Sequence, residues 1–295
     1  MAELRAFRLQ GLSPSRGETT VSNFVLDRTW GLPPYENVRP VKLFVHSWGD
    51  PNTAPLVCIH GVTGHGERFK RLAALRWAKT RHVVAPDLRG HGRSGYDAPW
   101  DFATHVADLV ETTDALGIER ADWVGHSFGG RLVLELAARH PERIRRAVLL
   151  DPAIQILPHV AEFVAEAERD DDVTYGSAEE YLERRGDSTS HELVLEDALL
   201  HCEQLPDGRL RRRTHQPAME SIYRALASDP PPPDTVTIPT LLVHAPSYGL
   251  VREEQLAAYA PYVETVAVPG MHMVMWDAFD EVADAVERFL EDGSA

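Results

Sequence analysis

Along most of this chain, short apolar runs alternate with longer segments whose apolar positions recur every three to four residues. Leu56-Val57-Cys58-Ile59 is apolar without a break, as on a strand buried on both faces. The runs at 82–85, 121–124, 146–150, 238–244 and 263–268 read as strands too. Ahead of them, Val41, Leu43 and Val45 alternate with Lys42, Phe44 and His46, the two-residue period of a strand. Between the runs, Phe69, Leu72, Leu75 and Ala78 keep helical spacing over 67–79. Further helices are predicted over 102–116, closed by Gly117, and over 131–139. Strands alternating with helices imply right-handed crossovers and a mostly parallel sheet, so the fold class is α/β.

The alternation stops near residue 152 and resumes near 235. In between no strand ladder is predicted, only short amphipathic helices at 159–169, 178–185, 192–202 and 217–228. The prolines at 230–233 form a stiff, extended exit. Helices at 252–259 and 278–290 complete the pattern. The expected organisation is an N-terminal arm over 1–40, broken by prolines and carrying at most a short strand. A core over 41–151 and 235–295 then holds a helical cap insertion over 152–234.

Composition narrows the partners. The chain has 295 residues, 43% of them hydrophobic, and a formal charge of −15 at pH 7. A surface that negative argues against nucleic acid and anionic membranes. Two cysteines, Cys58 and Cys202, make no disulfide framework. The first ten residues mix charges with apolar positions, unlike a signal peptide, and no run reaches the length of a membrane span. The expectation is a soluble cytoplasmic protein that acts on a small molecule.

The stretch richest in chemistry is Gly125-His126-Ser127-Phe128-Gly129-Gly130. It follows a strand and opens a helix, the setting of a nucleophile elbow. There a serine sits on a strained turn, and small residues two before and two after it let chain segments pass closely. The helix that starts there aims backbone N–H groups at developing negative charge. Three more clusters accompany it in order: His60-Gly61-Val62-Thr63-Gly64, the loop from Asp87 to Ser94, and Gly270-Met271-His272. Together the four motifs resemble the α/β-hydrolase superfamily in its capped, single-domain branch, over residues from about 41 to 290.

That resemblance implies an eight-stranded, mostly parallel sheet with helices on both faces and a serine–acid–histidine site at the carboxyl ends of the strands. Ser127 would be the nucleophile and His272 its base, in the family's chain order. The backbone N–H groups of Val62 and Phe128 would form the oxyanion hole. The acid departs from the common pattern. Many relatives carry an aspartate in the loop that here reads Ala245-Pro246-Ser247-Tyr248-Gly249-Leu250-Val251, without a carboxylate. Some take the acid from the end of the strand after the nucleophile helix, which here is Asp151. Glu253 and Glu254 are alternatives, although acids in a first helical turn also suit the dipole. A dyad without an acid is a third possibility.

Other clusters carry a bland reading beside a functional one. Met271, Met273 and Tyr248 are candidate pocket residues; the methionines also suit ordinary packing. His60, His65, His91 and His126 fall near the site, but no metal-ligand spacing links them, so neither metal nor cofactor is expected. Asp87 and Arg89 are expected to pair within a tight structural loop. Arg211-Arg212-Arg213 reads as a solvated face or as a lure for an anionic substrate. The activity implied is cofactor-free hydrolysis of a carboxylic ester or lactone. Carbon–carbon or amide cleavage on the same triad is the alternative, and a ligand-binding protein without turnover is the reading from another class.

Overall fold

A computed structural model describes residues 42–171, 173–185 and 187–291, all within the compact unit Val38–Ala295. The arm over 1–40, its expected strand, Val41 and Asp172 lie outside the described residues. In chain order come β1 (Val45–Trp48), β2 (Ala54–Ile59), α1 (Lys70–Leu75), β3 (Arg81–Pro86), α2 (Phe102–Ala115), β4 (Ala121–His126), α3 (Phe128–Arg139) and β5 (Ile144–Leu150). Next follow α4 (Pro158–Asp170), β6 (Thr174–Tyr175), α5 (Ala178–Arg184), α6 (His191–His201), β7 (Cys202–Gln204), β8 (Leu210–Arg212) and α7 (Gln216–Ala225). Last are β9 (Thr240–His244), α8 (Glu253–Tyr259), β10 (Glu264–Ala267), α9 (Val274–Asp277) and α10 (Phe279–Glu291).

The main sheet runs β1-β3-β2-β4-β5-β9-β10. β1 pairs antiparallel with β3, and all other pairs are parallel. Among the described residues it has seven strands where eight were expected. The all-apolar runs explain its place in the middle. In β2, Val57 and Ile59 join one core with Trp123, Leu149 and Leu242, while Leu56 and Cys58 join the other with Val124, Val148 and Val243. Successive side chains point to opposite faces, so a strand buried on both sides must be apolar throughout. Helices α2 and α3 cover the first face, α1 and α10 the second.

Helix ends follow local chemistry. The Asp101 side chain accepts the Thr104 N–H at 2.8 Å and starts α2, and Gly117 follows its end at φ +72°. The helix predicted over 67–79 is interrupted. It becomes a 3-10 turn at Gly66–Phe69, the short α1 and a second 3-10 turn at Trp77–Lys79.

The segment between β5 and β9 contains its four expected helices and one feature the sequence reading lacks, a three-stranded antiparallel sheet ordered β6-β8-β7. Its strands are two or three residues long, too short to show a period. Arg131, on α3, holds both ends of this segment. Its guanidinium donates to the carbonyls of Ile154 at 2.6 Å, Ser228 at 3.3 Å and Asp229 at 2.8 Å.

Candidate active site

The carboxyl ends of β2, β4, β5, β9 and β10 converge on one place. Ser127 follows β4 with φ +55° and ψ −118°, a conformation a non-glycine residue adopts only when its surroundings enforce it. The enforcement is visible. Ser127 N–H donates to the Leu150 carbonyl at 3.0 Å, and the Ser127 carbonyl accepts from Gly130 and Ala153 N–H, each at 3.0 Å. The turn is so tight that a Cβ on Gly125 would strike the Gly129 carbonyl, and one on Gly129 would strike the Ile59 carbonyl. Here the elbow's small residues are a packing requirement.

Asp151 follows β5 with φ +40°, a second enforced conformation. Leu150 pairs with Val243 in the ladder, and Asp151 N–H continues it by donating to the Val243 carbonyl at 2.7 Å. The carboxylate is thereby turned inward and has no exposed surface. Its Oδ1 accepts the Ala245 N–H at 3.2 Å, and its Oδ2 lies 2.7 Å from His272 Nδ1. His272 lies between β10 and α9. Its Nδ1–H donates to Asp151, which leaves Nε2 free to act as an acceptor. Among the described residues no hydrogen bond joins His272 to Ser127 Oγ.

Two rings frame His272. His126 lies with its ring centroid 4.6 Å away, and its Nε2–H donates to the His272 carbonyl at 2.9 Å. Burial, with His272 beside it, holds His126 well below the usual histidine range, so it is a neutral support. Tyr248 also stacks on the imidazole, 5.0 Å between centroids and 16° from parallel. Ser247 Oγ donates to the Gly270 carbonyl at 2.5 Å and ties the two loops together. The sequence places His126 near the site with no metal-ligand spacing, and does not show what its ring touches. Its contact is with a residue 146 positions away, which local pattern does not encode.

The loop after β2 lies against the serine. A Cβ on Gly61 would come 2.8 Å from Ser127 Cβ. His60 keeps this loop in shape, its Nδ1–H donating to the Gly61 carbonyl at 2.8 Å and its Nε2 accepting Leu88 N–H at 2.9 Å. Both ring nitrogens are used, and burial pushes His60 well below its ordinary pKa. Among the described residues the N–H groups of Val62 and Phe128 have no protein acceptor. Thr63, next to Val62, stands at φ +61°.

A family model for the alpha/beta hydrolase fold matches residues 54–278. The chain belongs to the α/β hydrolase fold family. Lipase LipV of Mycobacterium tuberculosis (strain ATCC 25618 / H37Rv) is 34% identical to this hydrolase over 224 residues, 74% of this chain and 84% of that one. A 2-hydroxymuconate semialdehyde hydrolase of Pseudomonas sp. (strain CF600) is 47% identical over 104 residues, 34% of this chain and 36% of that protein. Among solved structures, E-2-(acetamidomethylene)succinate hydrolase superposes with a TM-score of 0.74 at 25% identity, over 85% of this chain and 96% of that one.

Among the described residues no hydrogen bond or ion pair joins the other candidate side chains of this α/β hydrolase to Ser127 or His272. Met273 is fully buried in the apolar core with Leu150, Val243 and Trp276, whereas Met271 is half-buried in the His272 loop. Glu253 and Glu254 are exposed in the first turn of α8, and Arg252 holds Glu254 below its usual pKa. Asp87 and Arg89 do not pair with each other. Asp87 accepts from His46 at 3.0 Å, Gly66 N–H at 2.7 Å and Arg93 N–H at 2.9 Å, while Arg89 makes a fork to Asp108 on α2. Both roles are structural, as expected of the loop. Arg211, Arg212 and Arg213 line a cavity of about 410 Å³ with Arg93 and Tyr96. Arg211 pairs with Glu203 and Arg212 with Glu168. Cys58 and Cys202 are buried; burial raises both thiols, Cys202 to about 11. Among the described residues no helix is long and apolar enough to cross a membrane.

Segment 152–234 is tied to the stretch that follows β2. Asp197 on α6 accepts a fork from Arg68, 3.0 Å on each arm, together with His65 Nε2 and the Tyr181 hydroxyl at 2.8 Å each. All four side chains are buried, so the charges are desolvated and paired.

Proposed function

We propose that this α/β hydrolase is a serine hydrolase that cleaves a carboxylic ester or lactone. The observation that carries the reading is the 2.7 Å contact between His272 Nδ1 and the fully buried carboxylate of Asp151. Asp151 fixes the imidazole tautomer and stabilises its charge once protonated. Ser127 Oγ attacks the carbonyl as His272 Nε2 takes its proton. That hydrogen bond forms as the substrate seats, since catalytic hydrogen bonds tighten in the reacting complex. The tetrahedral oxyanion is bound by the Val62 and Phe128 N–H groups, each donor contributing about 3 kcal/mol. His272 then protonates the leaving alkoxide. Water, activated by the same imidazole, releases the acyl group. The chemistry needs no cofactor. Residues 152–234 act as the cap that shapes the substrate pocket, with Met271 and Tyr248 at its base beside His272.

A second reading, carbon–carbon bond hydrolysis on the same triad, is supported by the likeness to the 2-hydroxymuconate semialdehyde hydrolase. Both readings share one test. A fluorophosphonate probe labels wild type at Ser127 and leaves Ser127→Ala unlabelled. Turnover of a panel of esters, lactones, amides and vinylogous diketones then separates the substrates. Absence of labelling in wild type sinks the serine mechanism. Turnover of diketones alone replaces the ester reading by the second.

A further inference from the structure

His272 has its two chain neighbours held from outside its own loop. Met273 N–H donates to the backbone carbonyl of Asp187 at 2.9 Å. Met271 N–H donates to Asp277 Oδ2 at 2.8 Å. Asp277, the last residue of α9, is also the acceptor for the segment that leads into α6. It receives Ser188 Oγ at 2.6 Å, Thr189 N–H at 3.0 Å, Ser190 N–H at 3.2 Å and Ser190 Oγ at 3.0 Å. One carboxylate therefore gathers five donors, a single donor from the His272 loop and four from residues 188–190.

A carboxylate suits this place, because both of its oxygens accept and three of the five donors are backbone N–H groups that cannot turn away. An asparagine would turn an NH2 toward donors on one side. With Oδ1 facing Ser188 and Ser190, the group lost would be the acceptor for Met271. We propose that Asp277 is a positioning residue that locks the His272 loop to residues 188–190 of the insertion. The base and the inserted segment then move as one body, and a displacement of 188–190 reaches the backbone beside the imidazole through the Asp277 side chain, in parallel with the backbone bond from Met273 to Asp187. The clamp sets where the His272 ring meets Asp151 on one side and Ser127 on the other. It rests on the reading of His272 as the base.

The test compares Asp277→Asn, Asp277→Glu, His272→Ala and the double variant Ser188→Ala/Ser190→Ala. The readouts are the rate at which a fluorophosphonate probe labels Ser127, and kcat and KM on one ester, each per folded protein. Asp277→Asn is expected to lower kcat and the labelling rate together by about 10- to 100-fold, the cost of a base displaced by about an ångström. KM changes far less, and Asp277→Glu, which only accepts, recovers part of the loss. Should Asp277→Asn fail to fold, the double serine variant decides. It keeps the bond to Met271 and removes two donors on the insertion side, so its labelling rate falls by about three- to tenfold. A wild-type labelling rate in folded Asp277→Asn, or in the serine variant where Asp277→Asn does not fold, overturns the proposal. His272→Ala separates the two levels. Undiminished labelling there sinks the triad itself, whereas an inert His272→Ala beside a normal Asp277→Asn removes only the clamp.

Discussion

Two loops reach His272 from neighbouring strands, and they do different work. The loop after β5 brings a fully buried carboxylate to Nδ1, on a residue forced to φ +40°. The loop after β9 brings an aromatic face, with Tyr248 stacked on the ring and Ser247 tied to the Gly270 carbonyl. Because Leu150 and Val243 are ladder partners, the two loops start side by side. A carboxylate leaving either strand end can approach the same edge of the imidazole. What the site requires is an acceptor-only, negatively charged group at Nδ1, and the fold offers two strand ends that can supply it. With a carboxylate at the end of β5, the β9 loop carries a side chain that packs on the histidine ring.

The sharpest way to break this contrast is Asp151→Asn. It keeps the shape of the side chain and removes the charge and the tautomer control. Turnover should fall by about 10⁴-fold with folding intact, as for triad acids generally. Wild-type kinetics would leave the β5 loop without its chemical role.

The second test concerns the neutral histidine under both loops. Burial depresses His126, and it likewise depresses His60, His105, His201 and His91, the last to about 4. Unfolded, each has a pKa of about 6.5. Below that pH the unfolded chain binds protons that the folded chain refuses. Their contribution to stability is therefore complete above about pH 6.5 and declines as the pH falls toward 4. Each such histidine adds a slope of about 1.4 kcal/mol per pH unit. Urea unfolding at pH 7.5 and 5.5 measures it, and an unchanged stability would contradict the neutral support assigned to His126.

The smallest effect belongs to the β9 loop. Tyr248→Ala removes a stacked ring, a contact of about 0.5–1.5 kcal/mol, so turnover should fall by about two- to tenfold. A loss as large as that of Asp151→Asn would give the two loops equal standing and erase the contrast.

Much of this arrangement is legible in the sequence because it is local. Gly125, Ser127 and Gly129 mark a strand–turn–helix unit by their spacing, although β2 at Ile59 is what Gly129 must clear. The apolar runs of β2 and β4 announce a doubly covered sheet. Asp151 is suggested by the family resemblance, since some relatives take the acid from the end of the strand after the nucleophile helix, with Glu253, Glu254 and a dyad left open beside it. What the pattern hides is long-range. The bond from His126 to the His272 carbonyl and the gathering of Ser188 and Ser190 on Asp277 join residues that share no period. The strands β6, β7 and β8 are too short to alternate visibly, and only the Asp207-Gly208 turn between the last two marks a hairpin. The expected pairing of Asp87 with Arg89 gave way to partners on other elements, His46 and Asp108, that no local reading could choose.

The contact between His272 and Asp151 can be observed directly. A proton held between Nδ1 and a buried carboxylate is shielded from water and resonates far downfield in the proton NMR spectrum. This signal is expected in wild type and in Tyr248→Ala, and its loss in His272→Ala and in Asp151→Asn. A downfield proton that persists in Asp151→Asn would show that another group holds the histidine, and would contradict the assignment of Asp151.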